Sequence, residues 1–297
     1  MSHHDPLVTI DSESKEQEER RLRQRMAQIR RRLVVVSGKG GVGKSTAAAN
    51  LAVALSSRGH RVGLLDVDIH GPSIPTILGC QGASLMSDGQ SILPVEVRDR
   101  LTMMSIGFLL GSKTDAVIWR GPMKFKVIRQ FLCDVAWGEL DYLVVDCPPG
   151  TGDEPLAVAQ LIGCPAAAVV VTTPQELAIA DVRRCITFCQ KADLPVAGVL
   201  ENMSGYVCPQ CGIRTDLFGT GGGERLAQEM NVPFLGRIPI DPRIVGCGDR
   251  GNCLMETFPE SPAAQSYLLL ADRLQGQEDM WRDVPEAAAA TSREAPR

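Results

Sequence analysis

From residue 33 onward the chain alternates short, unbroken apolar runs with stretches in which apolar residues recur every three or four positions. The runs at 33–37, 61–66, 101–106, 142–146, 166–172, 196–201 and 233–237 predict strands, and the spacing between them predicts helices over 44–57, 122–136, 153–162, 176–191 and 222–230. Strands that are apolar throughout, rather than at every second position, are buried on both faces. The pattern therefore predicts an α/β fold, doubly wound, with a mostly parallel sheet and helices on both faces. In such sheets ligands bind at the carboxyl ends of the strands, so the informative residues are those just past each apolar run.

The flanks read differently. Residues 1–30 are polar, with acids clustered over 13–19 and arginines over 20–32, and predict a solvated lead-in helix or flexible arm. A last amphipathic helix is expected over 262–274, followed by an Ala-rich tail. The expected layout is an arm at 1–30, one ATPase-sized domain at 31–275 and a tail at 276–297. With 44% hydrophobic and 22% charged residues, the composition is that of a globular chain with a large core. A formal charge of -4 gives no general attraction to nucleic acid or anionic membrane, and no run of 18 apolar residues is present. Neither partner is expected, and a cytoplasmic location is.

The strongest local signal is Gly38-Lys39-Gly40-Gly41-Val42-Gly43-Lys44-Ser45-Thr46, which follows an apolar strand and opens a helix. It satisfies G-x-x-x-x-G-K-[ST] in its required context. Converging amides and a helix N-terminus suit phosphate, Lys44 suits the β- and γ-phosphates of ATP, and the Ser45 hydroxyl suits Mg2+. Lys39 lies too early to be the usual phosphate lysine; it is either simply solvated or placed to meet charge on a γ-phosphate, from a partner subunit if need be. Asp146 ends its strand where an aspartate of the Mg2+ shell belongs. Asp66 and Asp68 close the second strand on one face, and Asp68 is the candidate for orienting the attacking water, the competing role being a turn former.

Of ten cysteines most sit singly in apolar segments, where cysteine packs as a small hydrophobe. Cys185 and Cys189, one helical turn apart, are expected in the core, and Cys247 with Cys253 flank a Gly-containing loop. Cys208-Pro209-Gln210-Cys211-Gly212 is different: two intervening residues let both sulfurs face one metal. One such knuckle supplies two ligands where a closed sulfur site needs four, and a two-fold homodimer supplies the rest. Spacing alone leaves a redox disulfide, zinc and an iron-sulfur cluster open.

The glycine-rich loop with its early lysine resembles the deviant Walker A loop of the MinD, ParA and nitrogenase iron-protein class. More narrowly, the chain resembles the Mrp/ApbC iron-sulfur carrier family over roughly residues 30–275. The residues that carry this are Asp66-Val67-Asp68-Ile69-His70-Gly71-Pro72-Ser73, Trp119-Arg120-Gly121-Pro122, Asp146-Cys147-Pro148-Pro149-Gly150-Thr151-Gly152-Asp153, Thr173-Pro174-Gln175, and Glu201-Asn202-Met203-Ser204-Gly205 leading to Cys208 and Cys211. The resemblance implies a P-loop ATPase that hydrolyses ATP slowly, a nucleotide-bridged dimer crossed by Lys39, Asn202 on the adenine, and a [4Fe-4S] cluster shared by two copies of Cys208 and Cys211 and released to apo iron-sulfur clients. A positioning ATPase of the MinD/ParA type is the alternative, as is an ATPase with structural zinc at the cysteine pair. A four-cysteine N-terminal segment of the kind some relatives carry is absent from this sequence.

Overall fold

The computed structural model describes residues 15–109, 121–208, 210–278 and 281. A helix, α1 (Lys15–Ala27), leads into β1 (Ile29–Ser37), α2 (Lys44–Ser57), β2 (Val62–Asp66) and the one-turn α3 (Ile74–Ile77). A small ribbon of β3 (Met86–Ser87) and β4 (Ile92–Leu93) precedes β5 (Val95–Arg98) and β6 (Leu101–Ser105). Then come α4 (Gly121–Cys133), β7 (Leu140–Asp146), α5 (Asp153–Leu161), β8 (Ala166–Thr172), α6 (Glu176–Lys191) and β9 (Val196–Glu201). A second ribbon, β10 (Tyr206–Val207) with β11 (Arg214–Thr215), is followed by α7 (Gly222–Glu229), β12 (Phe234–Arg237), α8 (Pro242–Arg250), α9 (Leu254–Thr257) and α10 (Pro262–Gly276).

Eight strands form one sheet in the order β12-β9-β8-β1-β7-β2-β6-β5, parallel except for β5. Its two faces are two cores. Leu33 and Val35 of β1 pack with α2, α9 and α10, while Val34 and Val36 pack with α1, α4, α5, α6 and α7. This is the doubly wound arrangement that continuous apolar strands predict. Helix α2 is buried on nearly every side, from Ala47 to Leu55, because sheet and α10 sandwich it. The loop that opens it is thereby fixed to the middle of the molecule.

Parallel pairing puts the carboxyl end of every strand of the sheet but β5 on one edge. In register, Asp66 lies beside Asp146 and Ser105 beside Asp66, and Glu201 lies beside both Thr172 and Arg237. Two departures from the sequence pattern have clear causes. Strand β1 starts at Ile29, four residues before the apolar run, because Arg31 and Arg32 are built into it: Arg31 donates to the Tyr142 hydroxyl at 2.7 Å and lies over the rings of Tyr142 and Trp281, and buried Arg32 bonds the carbonyls of Met26 and Ile29. The stretch expected to be solvated contains α1, which buries Leu22 and Met26 and is tied down by Arg21 to Asp134 at 2.9 Å and Arg25 to Ser91 at 2.6 Å. Long basic side chains with apolar stems hide such packing from a polarity count. Likewise Trp281, in the stretch expected to be tail, packs against the core. Residues 1–14 and 282–297 lie outside the described residues.

Candidate functional site

The phosphate loop runs from the end of β1 into α2. Gly43 has φ +80, which disfavours any side chain, and a Cβ there would sit 2.3 Å from the Asn202 amide nitrogen. That closeness is the site's organising contact: Asn202, 6% exposed, donates from Nδ2 to the Val42 carbonyl at 2.8 Å. The residue after β9 is thus seated on the phosphate loop itself. On the other side, Gly150 donates to the Ser37 carbonyl at 2.8 Å, so the segment after β7 is hooked to the same loop.

Lys44 is buried and its ammonium lies 2.6 Å from Oδ1 of fully buried Asp146, with Ser45 Oγ 3.1 Å away. Oδ2 of Asp146 has no hydrogen-bond partner. Burial raises the affinity of Asp146 for a proton, and Lys44 opposes that rise. Asp66 is raised too, first by burial and then by the Asp146 carboxylate, while it accepts from Ser105 Oγ at 2.9 Å and from the Asp68 amide at 3.1 Å. Two buried carboxylates therefore face one buried ammonium. An added cation relieves that imbalance, and a carboxylate oxygen with no partner beside a serine hydroxyl is the hard-oxygen donor set Mg2+ prefers.

Asp68 performs the turn-forming role in this structure: its Oδ1 accepts from the amides of His70 and Gly71, both at 3.2 Å. Lys39 is half-buried and its ammonium has no partner among the described residues; its carbonyl accepts from Ser37 Oγ at 3.0 Å. Next to them is a group that sequence reasoning missed. Glu154 at the start of α5 is buried, with Lys124 of α4 at 2.7 Å and His70 at 3.7 Å, so one carboxylate ties α4 and α5 to the loop after β2. Glu154 directly follows the quoted Asp153, which was the available signal. Trp119 and Arg120 lie outside the described residues.

Cys208 and Cys211 sit at the tip of the β10–β11 hairpin, closed by Gly212 N to the Cys208 carbonyl at 2.9 Å and Cys208 N to the Ile213 carbonyl at 3.0 Å. Cys208 is half-buried and Cys211 exposed. The amides of Cys211 and Gln210 and then the Cys211 thiol hydrogen-bond to Cys208 and hold its thiol below the usual range. A thiol whose pKa is lowered reacts more readily as a nucleophile. Alkylation with iodoacetamide at neutral pH in metal-free protein should therefore modify Cys208 before Cys211; equal rates at the two sites, read by peptide mass, would contradict that assignment.

The other cysteines are elsewhere. Cys185 and Cys189 are fully buried on α6, as their helical spacing predicts, and Cys247 and Cys253 are buried around α8 and α9. Among the described residues no three His, Cys, Asp or Glu side chains come together as a metal site. Among those residues the hairpin pair has no third such side chain beside it.

The sequence profile described as ParA, NUBPL iron-transfer P-loop NTPase, matches residues 28–275. The iron-sulfur cluster carrier protein of Methanocaldococcus jannaschii is 48% identical over 235 residues, covering 79% of this chain and 81% of that protein. Among solved structures, a nucleotide-binding protein from Archaeoglobus fulgidus in complex with ADP and with cobalt superposes with a TM-score of 0.70 at 41% identity, covering 82% of this chain and 98% of that one. The cell division ATPase MinD of Pyrococcus furiosus superposes at 0.60 with 24% identity over 83% of this chain and 98% of its own, a likeness of fold alone. A phosphate loop seated against Asn202, a buried lysine–aspartate pair at the strand ends and a match over nearly the whole sheet agree: the chain belongs to the NUBPL iron-transfer family of P-loop NTPases.

Proposed function

We propose that this protein is an ATP-driven iron-sulfur cluster carrier that holds a [4Fe-4S] cluster between the hairpins of two copies and hands it to apo-proteins in the cytoplasm. The observation that carries the reading is the pair of adjacent thiols at an accessible hairpin tip whose first strand begins four residues after the phosphate-loop contact of Asn202. No helix among the described residues is long and apolar enough to cross a membrane.

The amides of residues 38–46 and the Lys44 ammonium would bind the ATP phosphates, with Lys44 leaving Asp146 as it turns to them. Ser45 and Asp146 would hold Mg2+, which supplies charge neutralisation between the β- and γ-phosphates. Release of Asp68 from its turn would free its carboxylate to orient water. Lys39, whose ammonium has no partner among the described residues, suits a γ-phosphate in the facing subunit, and Asn202 suits the adenine. Two thiolates per chain are half of a cluster's ligand set, which makes a homodimer the economical way to complete it.

The test is transfer. Anaerobically reconstituted protein, mixed with an apo-enzyme that works only with a [4Fe-4S] cluster, should restore that enzyme's activity faster with Mg-ATP than without. Failure of transfer by a protein that demonstrably holds the cluster would overturn the carrier role.

A further inference from the structure

A buried carboxylate with four hydrogen-bond partners lies outside the phosphate site. Glu201, the last residue of β9, is 0% exposed. Its Oε1 accepts from Ser204 Oγ at 2.5 Å, from the Gly221 amide at 3.1 Å and from Arg237 Nε at 3.2 Å, and its Oε2 accepts from the Gly223 amide at 2.6 Å. These partners have a pattern. Ser204 is where the chain leaves the sheet toward the cysteine hairpin, and Gly221 and Gly223 are where it returns to enter α7. Arg237 ends the neighbouring strand β12 and also pairs with Glu224. One carboxylate thus holds both roots of the 205–220 excursion that carries Cys208 and Cys211. The approach is close enough that a Cβ on Gly223 would lie 3.2 Å from Oε2.

The next residue is Asn202, whose side chain rests on the phosphate loop. Backbone bonds make this short stretch stiff: Asn202 N to the Thr172 carbonyl at 2.7 Å, Ile238 N to the Glu201 carbonyl at 2.9 Å, Ser204 N to the Ile238 carbonyl at 2.9 Å and Ile240 N to the Gly205 carbonyl at 2.8 Å. A ligand that moves Val42 or engages Asn202 therefore acts one residue from the carboxylate that anchors the hairpin. A buried carboxylate whose lone pairs are filled cannot shift without exchanging or breaking those bonds, so its partners move with it or are released.

We infer that Glu201 is a positioning residue that couples the nucleotide at the phosphate loop to the metal-holding hairpin, so that the placement of Cys208 and Cys211 depends on what is bound 38–46. The inference rests on the nucleotide reading given above. By linkage the coupling runs both ways: whatever nucleotide does to the hairpin's hold on metal, metal does by the same factor to nucleotide affinity.

Hydrogen exchange on metal-free, full-length protein, with and without a non-hydrolysable ATP analogue and Mg2+, tests it without any cluster. In the wild type, exchange in peptides spanning 205–221 should change by about fivefold or more on analogue binding, the lower end of ordinary allosteric coupling. In Glu201→Gln, which keeps the volume but loses the charge and one acceptor oxygen, exchange there should be fast without nucleotide and should no longer respond to it. Analogue affinity should stay within about threefold of wild type, because Glu201 touches neither the phosphate loop nor its ligands. A variant that binds the analogue and keeps the full 205–221 response overturns the proposal. Should the variant fail to fold, the wild type decides alone: analogue binding that leaves 205–221 unchanged also overturns it. Failure of the wild type to bind the analogue at all would instead count against the nucleotide reading, and iron analysis of reconstituted protein reports separately on the cysteines.

Discussion

Lys44→Ala should weaken ATP binding by about 100-fold, the equivalent of about 3 kcal/mol of charge-assisted contact with the β- and γ-phosphates. It should also destabilise the protein before any nucleotide is present. Lys44 is the cation for fully buried Asp146, at 2.6 Å, and Asp66 stands alongside. Removing one partner of a buried pair strands the other, at a typical loss of about 3 kcal/mol, eased here to the extent that Asp146 takes up a proton. Lys44→Met keeps the buried stem and separates charge from packing. Calorimetric titration with an ATP analogue and urea unfolding, each on both variants, measure the two effects. An unchanged affinity would remove Lys44 from the phosphate site, and unchanged stability in both variants would show that the ion pair contributes nothing to the fold.

Much of this architecture was legible because apolar runs report burial on both faces directly. The expected strands at 166–172 and 196–201 are β8 and β9, and the helices at 44–57 and 176–191 are α2 and α6. What escaped were elements whose sequence carries a second message. Arginines at 30–32 mask the start of β1, and α1 looks solvated because only Leu22 and Met26 of its thirteen residues are buried. The edge strand β5 alternates Val95-Glu96-Val97-Arg98, half-exposed and antiparallel, and too short to stand out beside its apolar neighbours.

The candidate site divides in the same way. Placements set by backbone geometry or motif position, such as those of Gly43, Lys44 and Asp146, could be read from spacing because a glycine-rich loop and a strand end admit few alternatives. Residues that act through contacts between distant segments could not. Glu201 gathers partners from three segments and Glu154 from two, and nothing in a linear sequence states which groups a buried carboxylate will meet. Asp68 shows a further limit: sequence proposes a water-orienting carboxylate, and the structure has it closing a turn through His70 and Gly71.

The second large effect is expected at the hairpin. Cys208→Ser and Cys211→Ser should each remove essentially all bound iron and sulfide after anaerobic reconstitution, since losing one cysteine from each of two chains leaves a four-ligand cluster with two. ATP binding should persist, because the thiols are at a hairpin tip and the phosphate contacts are at the end of β1. Each variant is small, polar and at an accessible position, so neither should disturb folding. Iron retained in full by both variants would place the cluster elsewhere in the chain.

The claim that two incomplete sites make one cluster is reached most directly by native mass spectrometry of the anaerobically reconstituted wild-type protein. The account predicts a species of two chains carrying a single [4Fe-4S] cluster, about four irons and four sulfides per pair, collapsing to metal-free chains when Cys208 is replaced. A cluster carried by a single chain, or one zinc ion per pair with no inorganic sulfide, would contradict it.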